Sequence, residues 1–362
     1  MGSSPPKLTS GRTKMILLTA TLCALTVLSL SCTEATGAAT GTVSDTATDT
    51  ASWPGFRGDW SGTTAARDLP LRWLPDAGVA WRAAVPGYGQ SSPVVWDGRV
   101  FVTSVEGPNM EQNFVHAFDL REGTQLWSHA FEASQPVENY FRNSRAAPTC
   151  VGDAEHVWAL VARGDLDALT HGGEVAWKLS RVEDHGPLRT ERGLASSLAQ
   201  TDDAVIALVD HDGPSYLVAL EKRTGAELWK VDRGERGAAW TSPLVTRRNG
   251  RERVIVSSAG TAEAYDAAGA ELWKLEGLVG NRIPSPALAG EDLILGATQS
   301  AHGTDDPRLV RSSNRCVRWT ESEEEVGVET RWSVRRADPH YSTPLAYEGC
   351  VYYVSSTGIL TC

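Results

Sequence analysis

The chain has 362 residues, with 34 Lys and Arg against 45 Asp and Glu, and a formal net charge of -11. That balance leaves no electropositive face for a phosphate backbone, so it excludes a nucleic-acid partner and favours a soluble monomer. Aromatic usage is skewed, with 13 Trp against 6 Phe, which an ordinary apolar core would not produce.

The first predicted element is a leader over residues 1–32. Lys7, Arg12 and Lys14 precede an uncharged, mostly apolar run from Met15 to Leu30. This is the pattern of a secretory signal, and the run is marginal in length for a membrane span. Small Ser31 stands before Cys32, as in a bacterial lipobox, which makes Cys32 the expected lipidation site. Simple cleavage and an uncleaved anchor are the alternatives, and Met15 is an alternative start. Residues 33–52 are Thr, Ala, Ser, Gly and Asp with a single Val. They bury too little apolar surface to offset ordering entropy and read as a disordered tether. Together these segments predict an exported protein, periplasmic or at the cell surface, that meets the membrane only through an N-terminal lipid.

Residues 53–362 carry the folded domain, and its signal is periodic. Trp81, Trp127, Trp177, Trp229, Trp273 and Trp332 are spaced by 46, 50, 52, 44 and 59 residues. Four have Gly four positions earlier: Gly123, Gly173, Gly225 and Gly269. Glycine supplies the positive φ of a tight hairpin, which puts each Trp on the strand leaving the turn. Short apolar strands precede the turns at 114–118, 166–169, 216–220 and 261–265. A Ser/Thr-Pro step opens most repeats, at Ser92, Ser242, Ser285 and Thr343. Ala147-Pro148 is a variant, and Ser197-Leu198 lacks the proline. Val-, Ile- and Tyr-rich runs such as DGRVFVTS and EGCVYYVSS then predict a further strand.

Four strands per repeat of about 45–50 residues is the signature of a propeller blade. The fold class is therefore all-β: a β-propeller of about six four-stranded blades packed through their Trp-bearing strands. The chain stops at TGILTC, short of the turn and Trp of a further unit. In one reading residues 79–85 donate the missing outer strand to the last blade. In the other the chain is a truncated relative of an eight-bladed form.

The repeat resembles that of the PQQ-like, or quinoprotein-repeat, propeller family, whose blades carry Ala-x-Asp-x-x-Thr-Gly-x-x-x-Trp. The matching residues are Ala117, Asp119, Gly123 and Trp127; Ala219, Thr224, Gly225 and Trp229; and Ala264, Asp266, Gly269 and Trp273 with one residue deleted. The second copy, Ala168-Leu169-Thr170, is degenerate. The opening WPGFRG also resembles the start of exported members. The resemblance implies one of two roles. One is a non-catalytic binding or scaffold protein at the cell envelope, like the outer-membrane assembly lipoproteins of the family. The alternative is a quinoprotein alcohol dehydrogenase holding PQQ with calcium. No adjacent-cysteine pair, Gly-x-Ser-x-Gly, His-Glu-x-x-His or phosphate loop occurs. The expectation is accordingly a binder with no cofactor, no metal site and no catalytic residue. Cys150, Cys316, Cys350 and Cys362 permit three pairings or none.

Strand parity places the binding face. Connections from outer to next inner strand, and from second to third strand, emerge on one face. Its long loops span 132–145, 181–194, 105–113 and 299–313. They hold Tyr140, Arg142, Arg145, His185 and Arg192, with Glu138, Asn139, Arg189, Glu191 and His302 beside them. The short loop 86–90 adds Tyr88 and Gln90. An aromatic–arginine set of this kind suits a protein partner or a small anionic or peptide ligand. The acidic run 321–325 reads as a solvated loop tip on the other face, and His116 and His156 as structural.

Overall fold

The computed structural model describes residues 52–67, 69–74, 77–132, 144–190, 192–299, 305–321, 326–334 and 341–362. The leader, the tether before residue 52, Cys32, Glu138, Asn139, Tyr140, Arg142, Glu191 and His302 lie outside them.

The described residues form six antiparallel sheets, each from consecutive strands, and the fold is a β-propeller. Blade 1 holds β1 (Val94–Trp96), β2 (Arg99–Glu106), β3 (Gln112–Asp119) and β4 (Gln125–Ala130). Blade 2 holds β5 (Val151–Gly152), β6 (His156–Leu160), β7 (Asp165–Thr170) and β8 (Val175–Ser180), followed by α1 (Arg181–His185). Blade 3 is β9 (Ala199–Gln200), β10 (Ala204–Val209), β11 (Pro214–Glu221) and β12 (Glu227–Glu235). Blade 4 is β13 (Leu244–Arg248), β14 (Arg251–Ser258), β15 (Thr261–Asp266) and β16 (Glu271–Leu275). Blade 5 is β17 (Ala287–Ala289), β18 (Asp292–Leu295), β19 (Arg315–Glu321) and β20 (Val326–Ser333), with α2 (Pro307–Ser313) between β18 and β19. Blade 6 has three strands: β21 (Leu345–Tyr347), β22 (Cys350–Val354) and β23 (Leu360–Thr361). Residues 79–85 form no named strand and do not pair with β23, so the structure does not build the expected fourth strand of blade 6 from them.

The Trp repeat has a mechanical explanation. The ladder between third and outer strands shifts register beside Ala117, Ala168, Ala219, Ala264 and Cys316. Each shift inserts one extra residue directly before the Trp of β4, β8, β12, β16 and β20. Such a bulge re-aims the side chain that follows it. The indoles of Trp81, Trp127, Trp177 and Trp229 then lie over the turn glycines Gly123, Gly173, Gly225 and Gly269 of the following blade. A Cβ on any of these glycines would fall within 3 Å of the ring. Each indole N–H also donates to a carbonyl of that turn: Leu120 at 2.8 Å, His171 at 2.9 Å, Lys222 at 2.9 Å and Ala267 at 2.8 Å. The last two members differ. Trp273 meets Trp319 edge-on at 5.7 Å and its N–H has no partner among the described residues. Trp332 is 40% exposed, with no described turn to dock on. The expectation of six equivalent wedges therefore holds for four.

The Ser/Thr-Pro step also gains a role. Ser92 N donates to Thr149 Oγ1 at 3.0 Å, Thr149 N to Ser197 Oγ at 3.1 Å, and Ser197 N to Ser242 Oγ at 2.9 Å. Ser242 N donates to Ser285 Oγ at 2.9 Å and Ser285 N to Thr343 Oγ1 at 3.1 Å. One hydroxyl per blade thus satisfies the backbone N–H of the blade before it, a belt of hydrogen bonds around the axis. The blade 2 member is Thr149, two positions after the Ala147 that stands in the variant motif.

The core lies between the sheets. Its largest cluster runs through blades 2 to 5 and includes Trp158, Leu166, Ile206, Leu217, Ile255 and Trp319. Cys150 and Cys316 behave as small buried apolar groups, and all four described cysteines are free. Burial pushes the Cys150 thiol up to about 12. Ahead of blade 1, Trp53 pairs with Val95 of β1, Pro54 O accepts from Gly152 N at 2.8 Å, and Arg57 Nη1 donates to Pro344 O at 2.7 Å. This segment ties the first, second and last blades together at the axis.

Candidate functional site

The strand order puts the outer-to-inner and second-to-third connections on one face, as parity requires, and these connections are stitched to one another. Tyr88 pairs with Val105, and Gln90 N donates to Ala146 O at 3.2 Å. Arg189 O accepts from Asp212 N at 2.8 Å, and Gly280 O accepts from Thr298 N at 2.9 Å. Two loops expected to be irregular contain short helices. Ser180 caps α1 through Glu183 N, and Asp306 caps α2 through Arg308 N.

The predicted site residues separate into three groups. Tyr88 is 52% exposed and available to a ligand. Gln90 spends its side-chain oxygen on Ser144 N at 2.8 Å. Arg145 is buried, and its carbonyl accepts from Asn113 at 3.1 Å once the Asn113 amide is oriented to satisfy both its neighbours. The same amide accepts from Arg163 Nη2 at 3.1 Å. Burial lowers the Arg163 guanidinium from its usual value, against the pull of Asp165 and Glu111. Gln90 and Arg145 are thus framework that supports the loop face from beneath.

His185 does not join the others. Its ring packs on Tyr216 of β11 at 4.7 Å, and Nε2 lies 3.2 Å from Glu227 of β12. It fills the crevice between blades 2 and 3. The cause is α1, which turns the loop back onto the neighbouring sheet. His116 and His156 are structural as expected: the first pairs with Ser104 Oγ at 2.7 Å, and the second lies against Trp158.

Arg192 belongs to a group that the sequence reading missed. Its guanidinium lies 5.5 Å over the ring of Trp240. Trp240 Nε1 donates to Gly193 O at 3.1 Å, and Trp240 N donates to Arg282 O at 2.6 Å. Arg282 is exposed, and its Nη1 donates to Ala238 O at 2.9 Å. Exposed Arg189 joins through its backbone N–H to His211 Nδ1 at 3.0 Å. The loops after blades 2, 3 and 4 therefore meet at one indole: Arg192 lays its guanidinium on Trp240, Arg282 holds the Trp240 backbone N–H, and Arg189 lies on the adjoining loop, which Asp212 ties to Ala238 N at 3.1 Å. Trp240 was discoverable: it lies 11 residues after Trp229, out of register with the repeat.

Beneath this surface Arg233 bridges Asp210, at 3.0 Å, and Glu263, with all three buried. Arg236 reaches Glu263 at 2.8 Å, and Tyr265 donates to it at 2.6 Å. Burial raises the Glu263 carboxyl, but Arg233, Tyr265 and Arg236 outweigh it and hold the group at about 2. The network fixes blade 3 against blade 4 and keeps the overlying loops in place. Among the described residues no three Asp, Glu, His or Cys converge to hold a metal ion.

Repeat, bulge and blade order define a PQQ-like repeat propeller with a polar, loop-built face. A family model described as outer membrane protein assembly factor BamB matches residues 30–186 and 162–362, and the chain belongs to that family. It is 30% identical over 226 residues to the outer membrane protein assembly factor BamB of Burkholderia pseudomallei, covering 61% of this chain and 54% of the relative. The chain spans about half the length of that relative. Among solved structures, BamB from Moraxella catarrhalis gives 14% identity and a TM-score of 0.49, over 76% of this chain and 72% of that one. The quinohemoprotein alcohol dehydrogenase of Comamonas testosteroni gives 14% identity and a TM-score of 0.50, over 68% and 47%. That likeness concerns the fold alone.

Proposed function

We propose that the protein is a non-catalytic binding propeller of the cell envelope. In this reading it is exported, held at the membrane by a lipid on Cys32, and engages a protein of outer-membrane assembly through its loop face. Family membership across both halves of the chain carries the proposal. The arginine–indole group at Trp240 supplies a surface of the right kind, since Arg and Trp dominate binding energy at protein interfaces. A partner segment bearing carboxylates or a C-terminus would meet Arg189, Arg192 and Arg282 and pack on Trp240.

The experiment is affinity capture of the tagged full-length protein from solubilised membranes, with a Trp240→Ala, Arg282→Ala double variant in parallel. The expected result is recovery of an outer-membrane assembly protein by the parent and its loss from the variant, which keeps the far-ultraviolet circular dichroism of the parent. Retention of PQQ and calcium by the purified protein, with dye-linked alcohol oxidation, would replace this reading with the quinoprotein one.

A further inference from the structure

Blade 6 ends in an edge strand that little else holds. β23 pairs with β22 at two positions, Thr361 with Tyr353 and Leu360 with Val354. Among the described residues no strand lies on its other side, and Ile359 and Leu360 are exposed. The turn between β22 and β23 is well closed. Ser355 N donates to Ile359 O at 2.9 Å, and Gly358 N donates to Ser355 O at 3.0 Å. The opposite end of this hairpin, its mouth, carries a cysteine on each side. Cys350 opens β22, and Cys362 directly follows β23. Cys350 is half-buried and Cys362 exposed, so a dissolved oxidant reaches both.

Strand alternation puts the two thiols on one face of the blade. Tyr353 points toward blade 5, where it is buried in one apolar cluster with Cys316. Cys350 and Tyr352 therefore point the other way. The register of β22 and β23, continued by one residue, sets Cys362 opposite Tyr352 and on the same face. Cys350 is then its diagonal neighbour. Such neighbours stand about 7–8 Å apart in a regular ladder, at the upper limit for a disulfide. Here the side chains already bridge the gap. The Cys362 thiol is hydrogen-bonded to that of Cys350, and its sulfur accepts from the Val351 backbone N–H. Tyr352 is hydrogen-bonded to the Cys350 thiol as well. Because the ladder stops at Thr361, Cys362 completes the approach without breaking a strand pair. Cys150 and Cys316 differ from this pair. Both are buried, and burial pushes the Cys316 thiol up to about 11, as it raises Cys150, which leaves little thiolate to react.

We infer that Cys350 and Cys362 are a redox-sensitive pair, which closes to a disulfide across the mouth of the hairpin and fastens β23 to blade 6. Each thiol gives up its proton, and the two sulfurs join. The electron pair reduces a disulfide oxidant, such as oxidised glutathione, to two thiols. The bond closes a loop whose far end is the ordered Ser355 turn, so the edge strand is held at both ends. The pairing stands on this geometry alone. The export proposed above adds only the oxidising compartment in which such a bond persists.

The test equilibrates the full-length protein with oxidised glutathione, alkylates the remaining thiols in denaturant and maps the peptides by mass spectrometry. Chymotrypsin cuts after Tyr352 and Tyr353, between the two cysteines, so a bond between them survives as two joined peptides. The expected result is that pair, with Cys150 and Cys316 alkylated. Hydrogen exchange at Leu360 and Thr361 should slow about tenfold on oxidation, a part of what closing such a loop contributes. A Cys362→Ser variant should exchange at the same rate with and without the oxidant. Alkylation or separate glutathione capping of both cysteines would overturn the inference. So would a bond from either of them to Cys316 or to a second chain, or exchange in β23 that oxidation leaves unchanged.

Discussion

Gly225→Ala isolates the wedge that joins one blade to the next. Gly225 has φ of +74°, and a Cβ there would lie 2.9 Å from the Trp177 ring. Gly250 supplies the control: it has the same φ of +74°, in the turn between β13 and β14, with nothing within 4 Å of its Cβ. Alanine in the left-handed region costs about 1–2 kcal/mol at either position. Only at Gly225 must the indole also move. Overpacking of that kind costs a further 1–3 kcal/mol, roughly. Displacing the ring also endangers the Trp177 Nε1 bond to Lys222 O at 2.9 Å, worth about 1 kcal/mol. Gly225→Ala should therefore destabilise by about 2–4 kcal/mol more than Gly250→Ala. The assay is urea unfolding followed by far-ultraviolet circular dichroism, with midpoints compared at equal slope. Equal midpoints for the two variants would refute the docking argument and leave the Gly-x-x-x-Trp spacing explained by turn conformation alone.

Three other predictions probe different parts of the molecule. The folded-state pKa of Glu263 lies at about 2, below its ordinary 4.5. Its stabilising contribution is thus full above pH 4.5 and lost as pH falls from 4.5 to 2, on the order of 3 kcal/mol. Acid titration of stability should be flatter in this window for Glu263→Gln than for the parent, and parallel curves would contradict the network. Ser242→Ala removes one hydroxyl of the axial belt and strands the Ser197 N–H, costing about 1–3 kcal/mol by chemical denaturation. Ser242→Thr should recover most of the loss, and an alanine variant as stable as the parent would count against the belt. Arg57→Ala severs the contact to Pro344. Hydrogen exchange should then quicken in β22 while β10 of blade 3 stays protected, whereas uniform acceleration would mean that the segment does not act as a tie.

Much of the fold was legible because a propeller repeats its constraints. Each blade needs the same tight turn and the same indole against its neighbour, so Gly225 and Trp229 recur in Gly269 and Trp273 at fixed spacing. The bulge before each Trp left no such trace. It inserts Leu126, Ala176, Leu228, Leu272 and Arg331, and an aliphatic residue before a Trp reads the same in a regular strand, because a bulge is a property of backbone register. The hydroxyl belt was half visible: the Ser-Pro steps stood out, but Thr149 did not, since it follows its proline where the other hydroxyls precede theirs. Loop parity grouped the long connections on one face, but it could not say which side chains point outward. His185 turned into a crevice because α1 formed, and Gln90 became a strut through Ser144. Trp240 and Arg282 were passed over because the loops that bear them are short, although three loops from different blades meet there. Such convergence is a product of tertiary structure, which one-dimensional spacing does not encode.

The central claim is that this propeller works by holding a protein partner on its arginine-lined loop face. Site-specific photo-cross-linking in the native envelope addresses it most directly, with the reactive group placed at position 282 on that face and at position 228 on the perimeter, where Leu228 is 50% exposed. The account predicts a discrete adduct with an outer-membrane assembly protein from position 282 and none from position 228. Adducts of the same protein from both positions in equal yield, or none from position 282, would contradict it.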